Sequence, residues 1–134
     1  MTGSYSPSKI HGDRPHETLE NIASSGVPIF FHGVATPKTH PELWKRLTDE
    51  FGPERKARGL YKEVWPPNAF LGNLLRLILL ERYGRNEQLS REIRGYYLKM
   101  AETTGTLWEF DRPEASCNHG FASYLAILLN VANK

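Results

Sequence analysis

The segment from Phe70 to Leu80 constrains the fold more than any other part of the sequence. Pro66 and Pro67 precede it and Gly84 follows it, which are typical signals for the start and the end of a helix. A helix that is apolar on almost every side must be buried on most of its faces. The chain therefore has to surround this helix with neighbours or obtain them by association. The apolar residues are Phe70, Leu71, Leu74, Leu75, Leu77, Ile78, Leu79 and Leu80.

Helical patterns also lie on both sides of this segment. Thr39 is the expected N-cap of an earlier helix, because Pro41 follows just inside it and Glu42 lies three residues after it. Residues 27–34 are apolar and compatible with either a strand or a helix. No other segment alternates over the length of a strand, so we predict an all-α fold built from antiparallel helix pairs. The expected helix ranges are 16–24, 39–51, from about 86 to 100, and from about 117 to the C-terminus.

The composition limits the classes of function. The chain has 134 residues, of which 40% are hydrophobic and 24% charged, as in one soluble domain. A formal net charge of +2 with scattered basic residues gives no indication of nucleic-acid binding, and a helix-turn-helix interpretation of residues 86–104 is disfavoured for the same reason. Cys117 is the only cysteine, which excludes an intrachain disulfide and a multi-cysteine metal site. The N-terminus lacks the apolar core of a secretory signal and no apolar run is long enough to span a membrane, so a cytoplasmic location is the default expectation.

The segment TTGTLWEFDRPEASCNHGFAS, residues 103–123, combines several chemically active side chains. Glu109 follows Trp108 at the start of a proline-containing loop, and Asn118 and His119 lie where that loop enters the last helix. Sugar-cleaving sites use such a set: an aromatic face for the ring, a carboxylate for acid–base chemistry, and amide and imidazole groups for hydroxyls. The alternative interpretation is a helix–loop–helix corner with a buried tryptophan and a capped second helix.

Four blocks of the sequence resemble consecutive blocks of the catalytic domain of bacterial α-L-rhamnosidases, family 78 glycoside hydrolases of the six-hairpin superfamily. The blocks are FFHGVATPKTHPELWKRLTDEFGPERK, PNAFLGNLLRLILLERYG, MAETTGTLWE and SCNHGFASY. The family's domain is an (α/α)6 barrel, and the resemblance covers only its C-terminal part, from residue 30 to 134. It therefore implies that residues 29–134 are the C-terminal portion of such a barrel and that residues 1–28 are a poorly ordered or divergent leader.

The resemblance implies an inverting hydrolysis, in which one carboxyl group protonates the leaving oxygen and another activates a water. Glu109, the last residue of TGTLWE, matches the family's general base. The family's general acid lies in an earlier hairpin, upstream of the matched blocks. Asp111, Glu114 and Glu102 are poor replacements for it, so we expect the chain alone to be weakly active or inactive.

Five other residues are candidates for substrate binding. Trp108 is expected to stack on the sugar or to shield the base from water, and its alternative role is that of a core tryptophan. His119 and Asn118 are expected to contact hydroxyl groups, although both residue types also suit the start of a helix. Asn73 and Arg76 lie three residues apart on the apolar helix, where they either line the pocket or form a buried pair that ties helices together.

These residues favour a carbohydrate as the substrate, and the family resemblance implies a rhamnoside. No metal or other cofactor is expected, and neither is a nucleic-acid or membrane partner. The buried character of the apolar helix predicts either a homo-oligomer or the remainder of the catalytic domain as a protein partner. The alternative function is that of a non-catalytic helical domain that self-associates or binds a partner.

Overall fold

The computed structural model describes residues 26–62, 64, 71–110, 112–114, 117 and 123–133. Within these ranges the chain is helical and contains no strand, which confirms the all-α prediction. No helix in them is both long enough and apolar enough to cross a bilayer. The helices are α1 Val27–Phe31, α2 Pro41–Lys45, α3 Leu71–Arg82, α4 Asn86–Glu92, α5 Leu98–Thr104 and α6 Tyr124–Ala132. Two π-helical turns, Arg46–Glu50 and Ile93–Tyr97, and a 3-10 turn, Pro53–Arg55, complete them.

Helix α3 lies at the centre of the described fold. It packs against α1, the first π-helical turn, α4 and α6. Leu77 and Leu80 belong to one hydrophobic cluster, and Leu79 belongs to another on a different side of the helix. Each of these three side chains is almost completely buried. The prediction that this helix is buried on most of its faces is therefore confirmed.

Helices α4 and α5 form one continuous helical rod through the second π-helical turn, from Asn86 to Thr104. The predicted start near Asn86 is confirmed. The rod ends at Gly105, which adopts the left-handed conformation (φ 75°) that glycine reaches without a steric penalty. A connection of three residues joins α3 to this rod, and the two helices contact each other, as expected for an antiparallel pair.

The N-terminal segment differs in detail from the sequence prediction. Residues 27–31 form a helix, which settles the choice between strand and helix that periodicity left open. Helix α2 is capped at His40, one residue after the predicted Thr39. The Thr39 hydroxyl is engaged in a turn instead, because it accepts a hydrogen bond from the Thr36 amide at 2.9 Å. The end of this helical stretch at Phe51 agrees with the prediction.

Two further predictions fall partly outside the described residues. The helix expected over residues 16–24 lies outside them entirely, as do residues 1–25 of the expected leader. The boundary expected after residue 28 falls within α1. The last helix is described from Tyr124, whereas its expected start near Cys117 precedes five residues that the structure does not describe.

Candidate functional site

The candidate base, Glu109, lies in the loop that follows α5. Its side chain is partly exposed, whereas its neighbour Trp108 is buried in the cluster formed by α3, the α4–α5 rod and α6. The Trp108 indole nitrogen donates a hydrogen bond to the Thr104 hydroxyl at 2.7 Å, which fixes the ring to the end of α5. The loop therefore holds a carboxylate at the surface, directly beside a fixed apolar wall.

A second contact joins this loop to the segment that precedes the last helix. The Thr106 hydroxyl donates a hydrogen bond to the Cys117 carbonyl. The Cys117 thiol in turn donates to the Pro113 carbonyl at 2.9 Å. The two sequence blocks that contain the candidate site residues, TGTLWE and SCNHG, are thus held together at this point. Asn118 and His119 themselves lie outside the described residues.

Trp108 has a packing role in the structure. It is 8% exposed and its polar nitrogen is satisfied within the protein. A sugar ring needs an open aromatic face, and little of this indole is open. Its role as a wall beside Glu109 is compatible with this burial, and its contact with substrate stays a prediction.

Asn73 and Arg76 are both buried on α3. The Arg76 guanidinium forms a salt bridge to Glu92 on α4, with one contact at 3.0 Å and a second, shorter one. It also donates to the backbone carbonyl groups of Leu47, at 2.8 Å, and Thr48. Arg76 therefore ties three elements together, and in the described residues its partner is Glu92 on the next helix.

Gly52 makes room for this guanidinium. A Cβ atom at position 52 would lie 3.0 Å from the Arg76 Nη2 atom, closer than such contacts normally are. The glycine that ends the α2 stretch therefore also permits the close approach of the buried charge. Two sequence signals, a helix-terminating glycine and an arginine in an apolar helix, meet at this contact.

Gln88 completes this buried polar network. Its amide nitrogen donates to the Thr48 carbonyl and to the Glu92 carboxylate, both at 2.7 Å.

Tyr97 lies one turn beyond Glu92, and burial, aided by the neighbouring Tyr96, raises the pKa of the Tyr97 phenol well above its ordinary value. Burial therefore favours the neutral form of the Tyr97 phenol, which packs in the cluster that contains Trp108.

The sequence interpretation missed Glu92, Gln88 and Thr48. A usable signal was present, because an arginine in an apolar helix requires a carboxylate partner. The four-residue spacing of Gln88 and Glu92 places both on one face of α4, beside the buried Leu89.

Within the described residues, no three His, Cys, Asp or Glu side chains approach closely enough to hold a metal ion.

Comparisons of the chain with models of protein families, with curated proteins and with solved structures find no match.

Proposed function

We propose that this chain supplies the general-base side of a glycoside hydrolase site, with Glu109 as the base and a rhamnoside as the substrate. The observation that carries the proposal is the hydrogen bond from the Thr106 hydroxyl to the Cys117 carbonyl. It brings the TGTLWE loop and the start of the SCNHG block together, as a site composed of Glu109 and His119 requires.

The surroundings of Glu109 suit the role of a base. The carboxylate is partly exposed, so a water molecule can reach it. Trp108 is fixed beside it by the hydrogen bond to Thr104, which limits the directions from which water approaches. A base that activates water must lie within hydrogen-bond reach of that water and be oriented before the substrate arrives.

The proposed context of this site is an (α/α)6 barrel of which the chain forms the C-terminal part. The described antiparallel pair of α3 and the α4–α5 rod is compatible with one hairpin of such a barrel. On this proposal the general acid comes from an earlier hairpin of the barrel. Asn73 and Arg76 then support the site through the helix that carries them.

An activated substrate tests the base without the general acid. A 2,4-dinitrophenyl α-L-rhamnoside has a leaving group that departs with little need for protonation. We expect slow hydrolysis by the chain, and a loss of about 10²–10⁴-fold in its rate for Glu109→Gln. Glu102→Gln is the matched control, because Glu102 is exposed on the preceding helix α5, and it should leave the rate unchanged.

Binding provides an independent measurement. Titration with the rhamnoside, followed by the NMR signal of the Trp108 indole N–H, should shift that signal in the wild type and in Glu109→Gln. An unchanged signal together with hydrolysis no faster than that of Glu109→Gln would refute the proposed function.

The second candidate function is self-association through α6. Tyr124 and Ile127 lie three residues apart on one face of this helix and are 41% and 56% exposed. Large apolar side chains grouped on an exposed helix face are typical of surfaces that pack against another protein. A second copy of the chain is the partner that this candidate function requires.

A further inference from the structure

An arginine-lined pocket lies between the segment of residues 48–58 and helix α4. Its volume is about 260 Å³, and its wall includes Arg55, Arg58, Arg85 and Arg91. We propose that this pocket binds the phosphate group of a small phosphate monoester. The proposal is independent of the function proposed for Glu109.

Positive charge is in excess in the wall of the pocket. Among its carboxylates, Asp49 is paired with Arg85 at 2.8 Å, and Glu92 is paired with Arg76 beneath the wall. Arg58 and Arg91 then share the wall with one further carboxylate, that of Glu54. A concave surface with an excess of guanidinium groups attracts anions and binds oxyanions through charge-assisted hydrogen bonds.

Two of the arginines are oriented by the protein itself. Arg58 donates to the Asp49 carbonyl at 2.6 Å. Arg85 donates to the Thr48 hydroxyl with one terminal nitrogen and to the Asp49 carboxylate with the other. Because these guanidinium groups are already held in place, little conformational entropy is lost when an anion binds.

Arg55 and Arg91 occupy different positions in the pocket. Arg55 is buried against the Phe51 ring, with its guanidinium carbon 5.3 Å from the ring centroid, and it donates to the Val64 carbonyl at 2.6 Å. It contributes a fixed positive charge to the wall. Arg91 is exposed at the rim on α4, and no hydrogen bond or ion pair engages it in the described part of the chain. Its guanidinium group is therefore available to a ligand.

Gln88 adds an acceptor to this set of donors. Its amide nitrogen is fixed by two acceptors, the Thr48 carbonyl and the Glu92 carboxylate, which determines the orientation of the amide. Its amide oxygen is buried and has no hydrogen-bond partner among the residues that the structure describes. Buried acceptors are normally satisfied, so the hydrogen-bond network at this wall is incomplete among the described residues.

The adjoining surface distinguishes a monoester from inorganic phosphate. A second pocket of about 390 Å³ shares Arg85, Gln88 and Arg91 with the first. The first pocket is smaller than most sites for whole organic ligands, which begin at about 300 Å³. A phosphate group in the first pocket and its hydroxylated organic part in the second would use the shared residues together.

This pocket is remote from Glu109. Gln88 and Thr104 are separated by 16 residues of the α4–α5 rod. At about 1.5 Å per residue they lie about 24 Å apart. The arginine-lined pocket and the loop after α5 are therefore at opposite ends of the same rod, and a variant in one can be studied without direct disturbance of the other.

Isothermal titration calorimetry at constant ionic strength tests the proposal, with potassium chloride as the background salt and glycerol 3-phosphate and glucose 6-phosphate as ligands. We expect both esters to bind, and Arg91→Gln and Arg58→Gln to weaken each affinity about tenfold or more. Arg94→Gln is the matched control, because Arg94 is exposed on the same rod but does not line either pocket, and it should leave the affinity unchanged.

Three outcomes would overturn the proposal. In the first outcome, neither ester releases or absorbs heat beyond the salt background. In the second, Arg94→Gln weakens binding as much as Arg91→Gln does. In the third outcome inorganic phosphate binds as tightly as the esters, since the adjoining pocket then contributes nothing. Arg91 is exposed and makes no contact that the fold needs, so the Arg91→Gln variant should remain folded, and circular dichroism checks this.

Discussion

The salt bridge between Arg76 and Glu92 is the most buried pair of charges in the described residues, with exposures of 2% and 7%. Removal of two charges from water is costly, and their mutual attraction offsets the cost only when further hydrogen bonds satisfy the remaining atoms. Here the Leu47 and Thr48 carbonyl groups and the Gln88 amide supply those bonds. The pair therefore fixes the relative positions of the elements that it joins.

Glu92→Gln should be strongly destabilising. The substitution leaves the Arg76 charge buried without its counter-ion, which typically costs about 3–5 kcal/mol in the free energy of unfolding. Urea denaturation measures this loss. Glu87→Gln is the matched control, because Glu87 is exposed on the same helix and its substitution should change the stability by less than about 0.5 kcal/mol. Equal effects of the two substitutions would contradict the structural role of the salt bridge.

Tyr97 makes the stability sensitive to alkali. Burial raises the pKa of its phenol in the folded state, whereas in the unfolded chain it titrates near the ordinary value of 10.0. The folded state therefore retains a proton that the unfolded chain loses, and this stabilisation is complete below about pH 10 and decreases above it. We expect the free energy of unfolding to fall by about 1.4 kcal/mol per pH unit above pH 10 from this group.

Tyr97→Phe isolates that contribution. The variant lacks the phenol, so its free energy of unfolding should fall less steeply between pH 10 and pH 11.5 than that of the wild type. Tyr83→Phe is the control, since Tyr83 is 37% exposed. A Tyr97→Phe variant with an unchanged alkaline slope would show that this phenol titrates normally in the folded protein.

At the level of single residues, the sequence predicts burial better than it predicts partners. Arg76 stands out because an arginine interrupts an apolar helix, and a structural role was one of its two interpretations. Glu92 is 16 positions away, and sequence spacing contains no information on contacts between helices at that distance. For Glu109, the sequence predicted the loop that carries the residue but not the contacts between that loop and its neighbours.

At the level of helices, Gly95 within the α4–α5 rod and Gly105 at its C-terminal end have opposite roles. Gly105 ends the rod in the left-handed conformation, whereas Gly95 lies within the second π-helical turn. A Cβ atom at either position would contact nothing within 4 Å. Any difference between alanine substitutions at the two positions must therefore come from the backbone.

Gly105→Ala should destabilise the protein by about 1–2 kcal/mol, because alanine resists a positive φ. Gly95→Ala should instead stabilise it by about 0.4–1 kcal/mol, because it restricts the unfolded chain at a position with space for a methyl group. Thermal unfolding of the two variants beside the wild type measures both. Shifts of the same sign would contradict the backbone assignments.

The predicted start near Asn86 is confirmed and Gly84 follows α3 as predicted, whereas the predicted start of α3 lies outside the described residues. Residues 71–82 and 86–104 have long apolar patterns with a glycine after each, so local sequence determines where they end. The N-cap of α2 is His40 and not the predicted Thr39, because the Thr39 hydroxyl takes part in the Thr36–Thr39 turn. For α1 the pattern was too short to distinguish a period of two from one of 3.6.

At the level of the whole molecule, α3 separates two hydrophobic clusters. Leu77 and Leu80 contact the cluster that contains Trp108 and Leu125, and Leu79 contacts the one that contains Phe30. Among the described residues, α3 therefore has neighbours on at least two of its sides. The remaining large apolar side chains at the surface include Tyr124 and Ile127 of α6.

Ile127→Ser tests whether the exposed face of α6 supports self-association. If a second copy of the chain covers this face, sedimentation velocity across a concentration series should show association of the wild type. The variant should associate at least about tenfold more weakly, since a buried isoleucine side chain contributes about 1.5–3 kcal/mol. A wild type that remains monomeric throughout the series would exclude this candidate function.

The hydrogen bonds from Arg76 to the Leu47 and Thr48 carbonyl groups affect how the protein unfolds. If residues 41–50 detach from α3, the buried Arg76 guanidinium loses the two backbone carbonyl groups that accept its hydrogen bonds. Opening of the fold from that side therefore breaks buried charge-assisted hydrogen bonds in addition to apolar contacts. The N-terminal helices and the central helix should consequently melt together, as one cooperative unit.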